Sequence, residues 1–211
     1  MAAHDQLSHY FPRLDDVPLN AAHHDVREQL RPIAEGKLRQ HLLLVGSYGA
    51  GKTGLARLIP YFYYSSREEC HTPAFINCAN DFDTAALIRE CQNWRGSTHF
   101  FNLPEHHWII LDDFDTVKRE KQKRLRQLLE TDYGVSFVLT ANELNEIDDG
   151  VTDRCKVIEV LPPTPADFLP YAMSRLRLVG NRIPEADVLS KLRPFGATLR
   201  GMNRVLEELL V

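Results

Sequence analysis

The chain has 211 residues with 44% hydrophobic and 26% charged side chains and a net charge of −4, the make-up of an ordinary globular protein, which excludes a polycation or a low-complexity chain. No apolar run approaches the roughly 20 residues that a membrane span needs, and the N-terminal "MAAHDQLSHYFPRLDD" lacks the basic-then-apolar pattern of a secretory signal. The four cysteines, Cys70, Cys78, Cys91 and Cys155, form no C-x-x-C pair, which argues against a zinc site or disulfide framework and for buried free thiols in a reducing compartment.

In chain order, residues 24–38 place Val26, Leu30 and Ile33 at helical spacing, with Gly36 at the expected stop. "HLLLVG" reads as a strand buried on both faces and ended by glycine. "KTGLARLIPYFYY" opens a helix that Pro60 is expected to bend or shorten. Further short apolar runs predict strands over 73–78, 107–115, 135–142 and 156–161. Helical patterns fall over 84–94 and over the strongly basic 119–130. Strands alternating with helices at this rhythm predict an α/β fold, a five-stranded parallel sheet with helices on both faces. After the proline cluster "LPPTP" (161–165) only helices are expected, over 165–178, about 185–193 and 198–210. The predicted division is therefore an α/β domain over residues 1–161 and a small all-helical domain over 162–211.

Between the first strand and its helix lies Gly46-Ser47-Tyr48-Gly49-Ala50-Gly51-Lys52-Thr53, followed by Gly54, which fits G-x-x-x-x-G-K-[ST]. Glycines let successive backbone N–H groups turn inward towards phosphate oxygens, and the helix N-terminus adds partial positive charge. Lys52 would reach the β- and γ-phosphates and Thr53 would supply an oxygen to Mg²⁺. The strand–loop–helix context is what separates such a loop from a structural glycine turn, so these residues are read as an ATP site. The acidic end of "WIILDDFD" supplies the second element. Asp112 would bind magnesium through water, and Asp113 would orient or deprotonate an attacking water.

With these motifs in place the chain resembles the AAA+ ATPases, and among them the small subunits of clamp loaders. "HYFPRLDDVPLN" is similar to the loaders' "YRP-x-x-LDD-x-x-G", which implies Tyr10 and Pro12 near the adenine. "FINCAND" resembles "ELNASDD", implying that Asn77 is a polar switch on the catalytic acid. "EKQKRLRQLLE" is similar to the loader helix "QxALRRxxE". "FVLTAN" puts Asn142 in the sensor 1 position, "VTDRCKVIEVLPPT" makes Arg154 the arginine finger acting on a neighbouring subunit, and "GATLRGMNRVLEEL" places Arg200 as sensor 2 of a lid formed by the second domain. The departures are "DDFD" for "DEAD", one methylene shorter at Asp113, "DRC" for "SRC", which sets Asp153 beside the finger, and an end at Val211, without the loaders' helical collar.

Lys118, Arg119, Lys121, Lys123, Arg124 and Arg126 crowd the helix that follows the acidic box. Such a run is also what a solvated helix face looks like. In the resembling loaders this helix lines the DNA channel, which implies that these residues, with Gln122, track phosphates independently of sequence. The implied protein is an oligomeric, DNA-dependent ATPase with ATP and Mg²⁺ as cofactors, cytoplasmic or nuclear, that loads or recruits an unidentified protein. The alternative is a nucleotide-controlled scaffold or protein remodeller without DNA binding, against which the absence of an aromatic-apolar-glycine pore loop in "NDFDTAALIREC" counts. The adjacent pairs His23–His24 and His106–His107 suit a surface better than a metal site. Trp94, Phe100 and Phe101 read as core.

Overall fold

The computed structural model describes residues 11–21, 24–69, 71–80, 82–97, 106–131 and 134–210. The expectations for Tyr10, His23, Cys70, Phe100 and Phe101 lie outside these residues.

Five strands form one parallel sheet in the order β2-β3-β4-β1-β5: β1 (Leu42–Val45), β2 (Ala74–Asn77), β3 (His107–Asp112), β4 (Val135–Ala141) and β5 (Lys156–Glu159). Each falls within its predicted run. The apolar runs are continuous because both faces are covered. Leu42, Leu44, Ile110 and Val138 point into one apolar cluster, while Leu43, Ile109, Leu111, Phe137 and Leu139 point into the other. Helices α1 (His24–Ala34) and α2 (Lys52–Ser66) close the first face with Leu30, Ile33, Ala56 and Ile59. Helices α3 (Thr84–Ser97) and α4 (Arg119–Glu130) close the second with Leu87, Leu125 and Leu128. Gly36 ends α1 as predicted, at φ 68°.

Pro60 does not shorten α2, which runs through it to Ser66. A proline inside a helix costs about 3 kcal/mol. Here Leu55, Ala56, Leu58, Ile59, Phe62, Tyr63 and Tyr64 are all buried around it, and burial of that many side chains outweighs the lost bond. His106 also departs from expectation. It is buried, its Nε2 sits 2.9 Å from Ser136 Oγ, and its ring packs between Tyr63 and Trp108.

A short helix α5 (Asp149–Thr152) precedes β5, and α6 (Pro165–Leu178), α7 (Glu185–Leu192) and α8 (Leu199–Leu210) follow it. Thr164 starts α6 through a capping box with Asp167, with Pro165 in the first turn, so "PPTPAD" ends one element and opens the next. Phe168, Ala172, Leu176, Val188, Leu192 and Met202 close a third apolar cluster within these three helices. Cys78, Cys91 and Cys155 are buried and unpaired, and burial pushes each thiol up to about 12, which leaves them unreactive. No described helix is long and apolar enough to cross a membrane.

Candidate functional site

β1 delivers the chain to the glycine loop, and the loop's shape is set by its neighbours. A Cβ on Gly46 would lie 2.1 Å from the Val160 carbonyl oxygen, so no larger residue fits there. Gly49 and Gly51 take φ of 78° and 98°, the left-handed region that glycine enters without strain. The N-terminus of α2, which Gly51 precedes, carries no side-chain cap, and Gly51, Lys52, Thr53 and Gly54 line the cleft.

Lys52 is buried, and its ammonium donates to Gly46 O at 2.8 Å, Ser47 O at 2.9 Å and Asn142 Oδ1 at 2.9 Å. An ammonium has three donors, so all are engaged. Burial lowers its pKa, and the charges of Asp115, Asp113 and Asp112 oppose that shift. Thr53 Oγ1 and Thr140 Oγ1 each donate to Asp112 Oδ1 at 2.8 Å, and Thr140 Oγ1 in turn accepts the Asp113 N–H at 3.0 Å. Asp113 holds the left-handed conformation at φ 54°, turning the chain sharply beyond β3. Its carboxyl is raised above the usual range, first by burial and then by Asp112 and Asp115, with Lys52 and Arg200 pulling the other way.

Asp115 plays a part that reasoning from sequence missed. Its Oδ2 accepts the Asn142 N–H at 2.7 Å, Asn142 Nδ2 at 3.1 Å and the Glu143 N–H at 3.4 Å. Thr140 was missed as well. The signal for it was a hydroxyl near the C-terminal end of the strand "VSFVLTA", which also carries Ser136; Thr140 is fully buried.

Lys52, Thr53, Asp112, Asp113 and Asn142 form one wall of a cleft of about 760 Å³, and Arg200, Asn203, Arg204 and Glu207 of α8 form the other. Helical spacing puts the last four on one face. Gly51, Gly54, Leu199 and Asn203 also line a smaller apolar cavity of about 90 Å³ that is continued by Phe11, Val17, Leu58, Phe168 and Tyr171. A polar cleft joined to an apolar slot through a glycine loop suits a phosphate chain joined to a flat heterocycle. Pro12, expected at the base, is exposed and lines neither cavity. Phe11 takes the inward place, its ring 4.8 Å from that of Tyr171, because an aromatic ring gains most from burial.

No family model matches the chain. Replication factor C small subunit 1 of Pyrobaculum arsenaticum is 29% identical over 154 residues, covering 72% of this chain and 46% of the relative. Replication factor C subunit 5 of Arabidopsis thaliana is 26% identical over 152 residues, 71% and 40% of the two chains. A putative replication factor C small subunit of Acanthamoeba polyphaga mimivirus is 23% identical over 189 residues, covering 87% and 55%. Among solved structures, the Thermotoga maritima RuvB Holliday junction branch migration motor superposes with a TM-score of 0.68 at 17% identity, over 92% of this chain and 63% of that one. The chain has the AAA+ fold seen in RuvB and is distantly homologous to the replication factor C small subunits. It spans about half the length of the curated relatives it matches.

In this AAA+ fold the other residues singled out from sequence fall as follows. Asn77 stands beside Asp112 in register across β2 and β3, but its side chain accepts the Ala79 N–H at 3.0 Å in a local turn. Arg154 lies just before β5, away from the cleft, donating to Gly150 O at 2.7 Å and forming an ion pair with Glu130 at the end of α4, not with the adjacent Asp153. Lys118, Arg119, Lys121, Lys123, Arg124 and Arg126 are exposed; Arg119 donates to Asn145 O at 2.5 Å and Lys121 to Phe82 O at 2.7 Å. Gln122 is a correction. It shares the inner face of α4 with Leu125, is fully buried, and bonds the backbone of Val117 (2.7 Å), Glu146 (3.0 Å) and Asp148 (2.7 Å), so it cannot touch DNA in this conformation.

Proposed function

We propose that this AAA+ protein is a DNA-stimulated, magnesium-dependent ATPase of the clamp-loader type, working as an oligomer in which ATP binding and hydrolysis load or recruit a partner protein. The observation that carries the reading is that Lys52, Thr53, Asp112, Asp113, Asn142 and Arg200, from separate segments of the chain, meet around one cleft.

In this reading the adenine enters the apolar cavity between Phe11, Val17 and Tyr171, and the phosphates lie over the Gly49–Thr53 backbone. Phosphate oxygens replace the Gly46 and Ser47 carbonyls as acceptors for Lys52, a shift of one ammonium with little rearrangement of the loop. The donors present are hard oxygens that suit magnesium. Thr53 Oγ1 would hold it directly and Asp112 through water, and it would supply charge neutralisation along the phosphates.

Asp113 orients and deprotonates the attacking water, and its raised pKa suits a base. Residues 162–211 act as the lid domain, and Arg200 closes on the phosphates from α8. Arg154 serves the nucleotide of a neighbouring subunit, where fingers of this kind are worth about 10³–10⁵ in rate. The exposed cations of α4 run along DNA phosphates, and the helix starts seven residues after Asp112, so DNA contact and chemistry share one segment.

The test is steady-state ATP hydrolysis at fixed salt without DNA, with single strands and with a primed template. Stimulation by DNA is expected. Turnover that ignores all DNA would overturn the loader reading in favour of a nucleotide-controlled scaffold.

A further inference from the structure

We propose that Asp115, two residues beyond the paired carboxylates, is a positioning residue for hydrolysis that fixes the orientation of the Asn142 amide at the phosphate cleft. The proposal rests on the reading of the cleft as an ATPase site. A carboxylate only accepts hydrogen bonds, so the Asn142 side chain must turn its NH₂ towards Asp115 Oδ2, at 3.1 Å, and its Oδ1 towards Lys52, at 2.9 Å. The same Oδ2 takes the Asn142 main-chain N–H at 2.7 Å, so side chain and backbone are pinned together. One N–H of the Asn142 amide is thereby used, and the other remains as the donor aimed at a phosphate oxygen or the attacking water. Without Asp115, Lys52 alone would hold the amide by its oxygen, and the NH₂ and main chain of Asn142 would lose the acceptor that fixes where the free N–H points.

Asp115 is itself held firmly. It sits in the 3₁₀ turn Phe114–Thr116, which begins at Asp113 and is locked by Thr116 Oγ1 donating to Asp113 O at 2.7 Å. Phe114 is fully buried and meets Phe82 edge-on at 5.9 Å. Asp113 and Asp115 therefore move as one rigid turn, which ties the water-orienting carboxylate to the residue that aims Asn142.

The experiment is a double-mutant cycle on kcat at saturating ATP, with affinity for a fluorescent ATP analogue read alongside. Asp115→Ala and Asn142→Ala are each expected to lower kcat about 10²-fold, the cost of a lost transition-state donor, with affinity unchanged within about threefold. The double variant is expected to be no slower than Asn142→Ala alone, because both changes remove one interaction. Asp115→Asn keeps an accepting oxygen and is expected to recover about tenfold of the Ala loss. A merely structural Asp115 would give losses that multiply, or an affinity that falls in step with kcat, and either result overturns the proposal. If Asp115→Ala does not fold, the cycle is run with Asp115→Asn, whose smaller loss must vanish in the Asn142→Ala background. Wild-type kcat in Asp115→Ala beside a slow Asn142→Ala defeats the proposal alone. Wild-type kcat in Asn142→Ala defeats both the proposal and the role given to Asn142 in the ATPase reading. If the wild type turns over no ATP, the ATPase reading fails and the proposal falls with it.

Discussion

Two glycines eight residues apart are glycine for different reasons. At Gly46 a methyl group would drive into the Val160 carbonyl oxygen at 2.1 Å, and backbone cannot step aside as a side chain can. Gly54, in the first turn of α2, has nothing within 4 Å of an added Cβ, yet it lines both the polar cleft and the apolar cavity. Gly54→Ala is therefore expected to stabilise the free protein by about 0.5–1 kcal/mol and to weaken nucleotide binding, read by thermal unfolding with and without ATP. Gly46→Ala is expected to cost about 1–3 kcal/mol. The carboxylate of Asp113 gives a pH-dependent prediction. Its folded pKa is raised by burial and by Asp112 and Asp115, so its contribution to stability is fully present below the ordinary carboxylate range and is lost as pH rises through the folded value. Asp113→Asn, which suits the left-handed backbone equally well, should raise the unfolding midpoint at pH 7 and lose that advantage in acid. It should also keep ATP bound while hydrolysis falls, and turnover at the wild-type rate would refute the role given to Asp113.

At the scale of elements, α4 is a helix with two tasks on two faces. Gln122, Leu125, Leu128 and Leu129 face inward, while Lys121, Lys123, Arg124 and Arg126 face out. The inner face is fixed by packing, so Leu125→Ala should cost about 2–5 kcal/mol. The outer face should be nearly silent for folding. Lys123→Glu with Arg124→Glu is expected to change stability by less than about 0.5 kcal/mol per site while abolishing stimulation by DNA and flattening the salt dependence of binding. Arg126 is the poorer choice, since its stem lies against Gly150. The buried amide of Gln122 joins the 3₁₀ turn before α4 to the segment that leads into α5, so movement of this helix is felt on both sides.

At the scale of the whole molecule, the C-terminal helices press directly on the glycine loop. The Leu199 N–H donates to Gly49 O at 2.8 Å, and side chains of Thr198 and Leu199 fill the space that a Cβ on Gly49 or Gly51 would need. Whatever occupies the loop must therefore be accommodated by α8, which carries Arg200. Arg154 lies outside this cleft and is paired with Glu130, so its proposed work is on another copy. Arg154→Ala is expected to leave nucleotide affinity intact and to lower hydrolysis. Mixing in subunits that keep Arg154 but carry Lys52→Ala should partly restore it, because each contributes what the other lacks. Hydrolysis that shows no mixing effect would remove the finger from its role in trans.

Local pattern was enough for the five strands, the glycine loop, the acidic box and the two faces of α4 apart from Gln122, because each is written in residues a few positions apart. Short apolar runs alternating with helical patterns fit strands covered on both sides, and the glycine spacing marks a tight loop between strand and helix. What the sequence could not specify is which polar atoms meet across the fold. Lys52 finds Asn142 at a separation of 90 residues, Thr53 finds Asp112 at 59, and Asp115 finds Asn142 at 27. Thr140 and Asp115 gained their places, Gln122 turned inward, Phe11 displaced Pro12, and Arg154 took Glu130 as a partner only once the sheet order β2-β3-β4-β1-β5 had set β1 between β4 and β5. Periodicity decides which face of an element is buried. Hydrogen-bond satisfaction in the buried site, a property of neighbours distant in sequence, decides what each side chain does there.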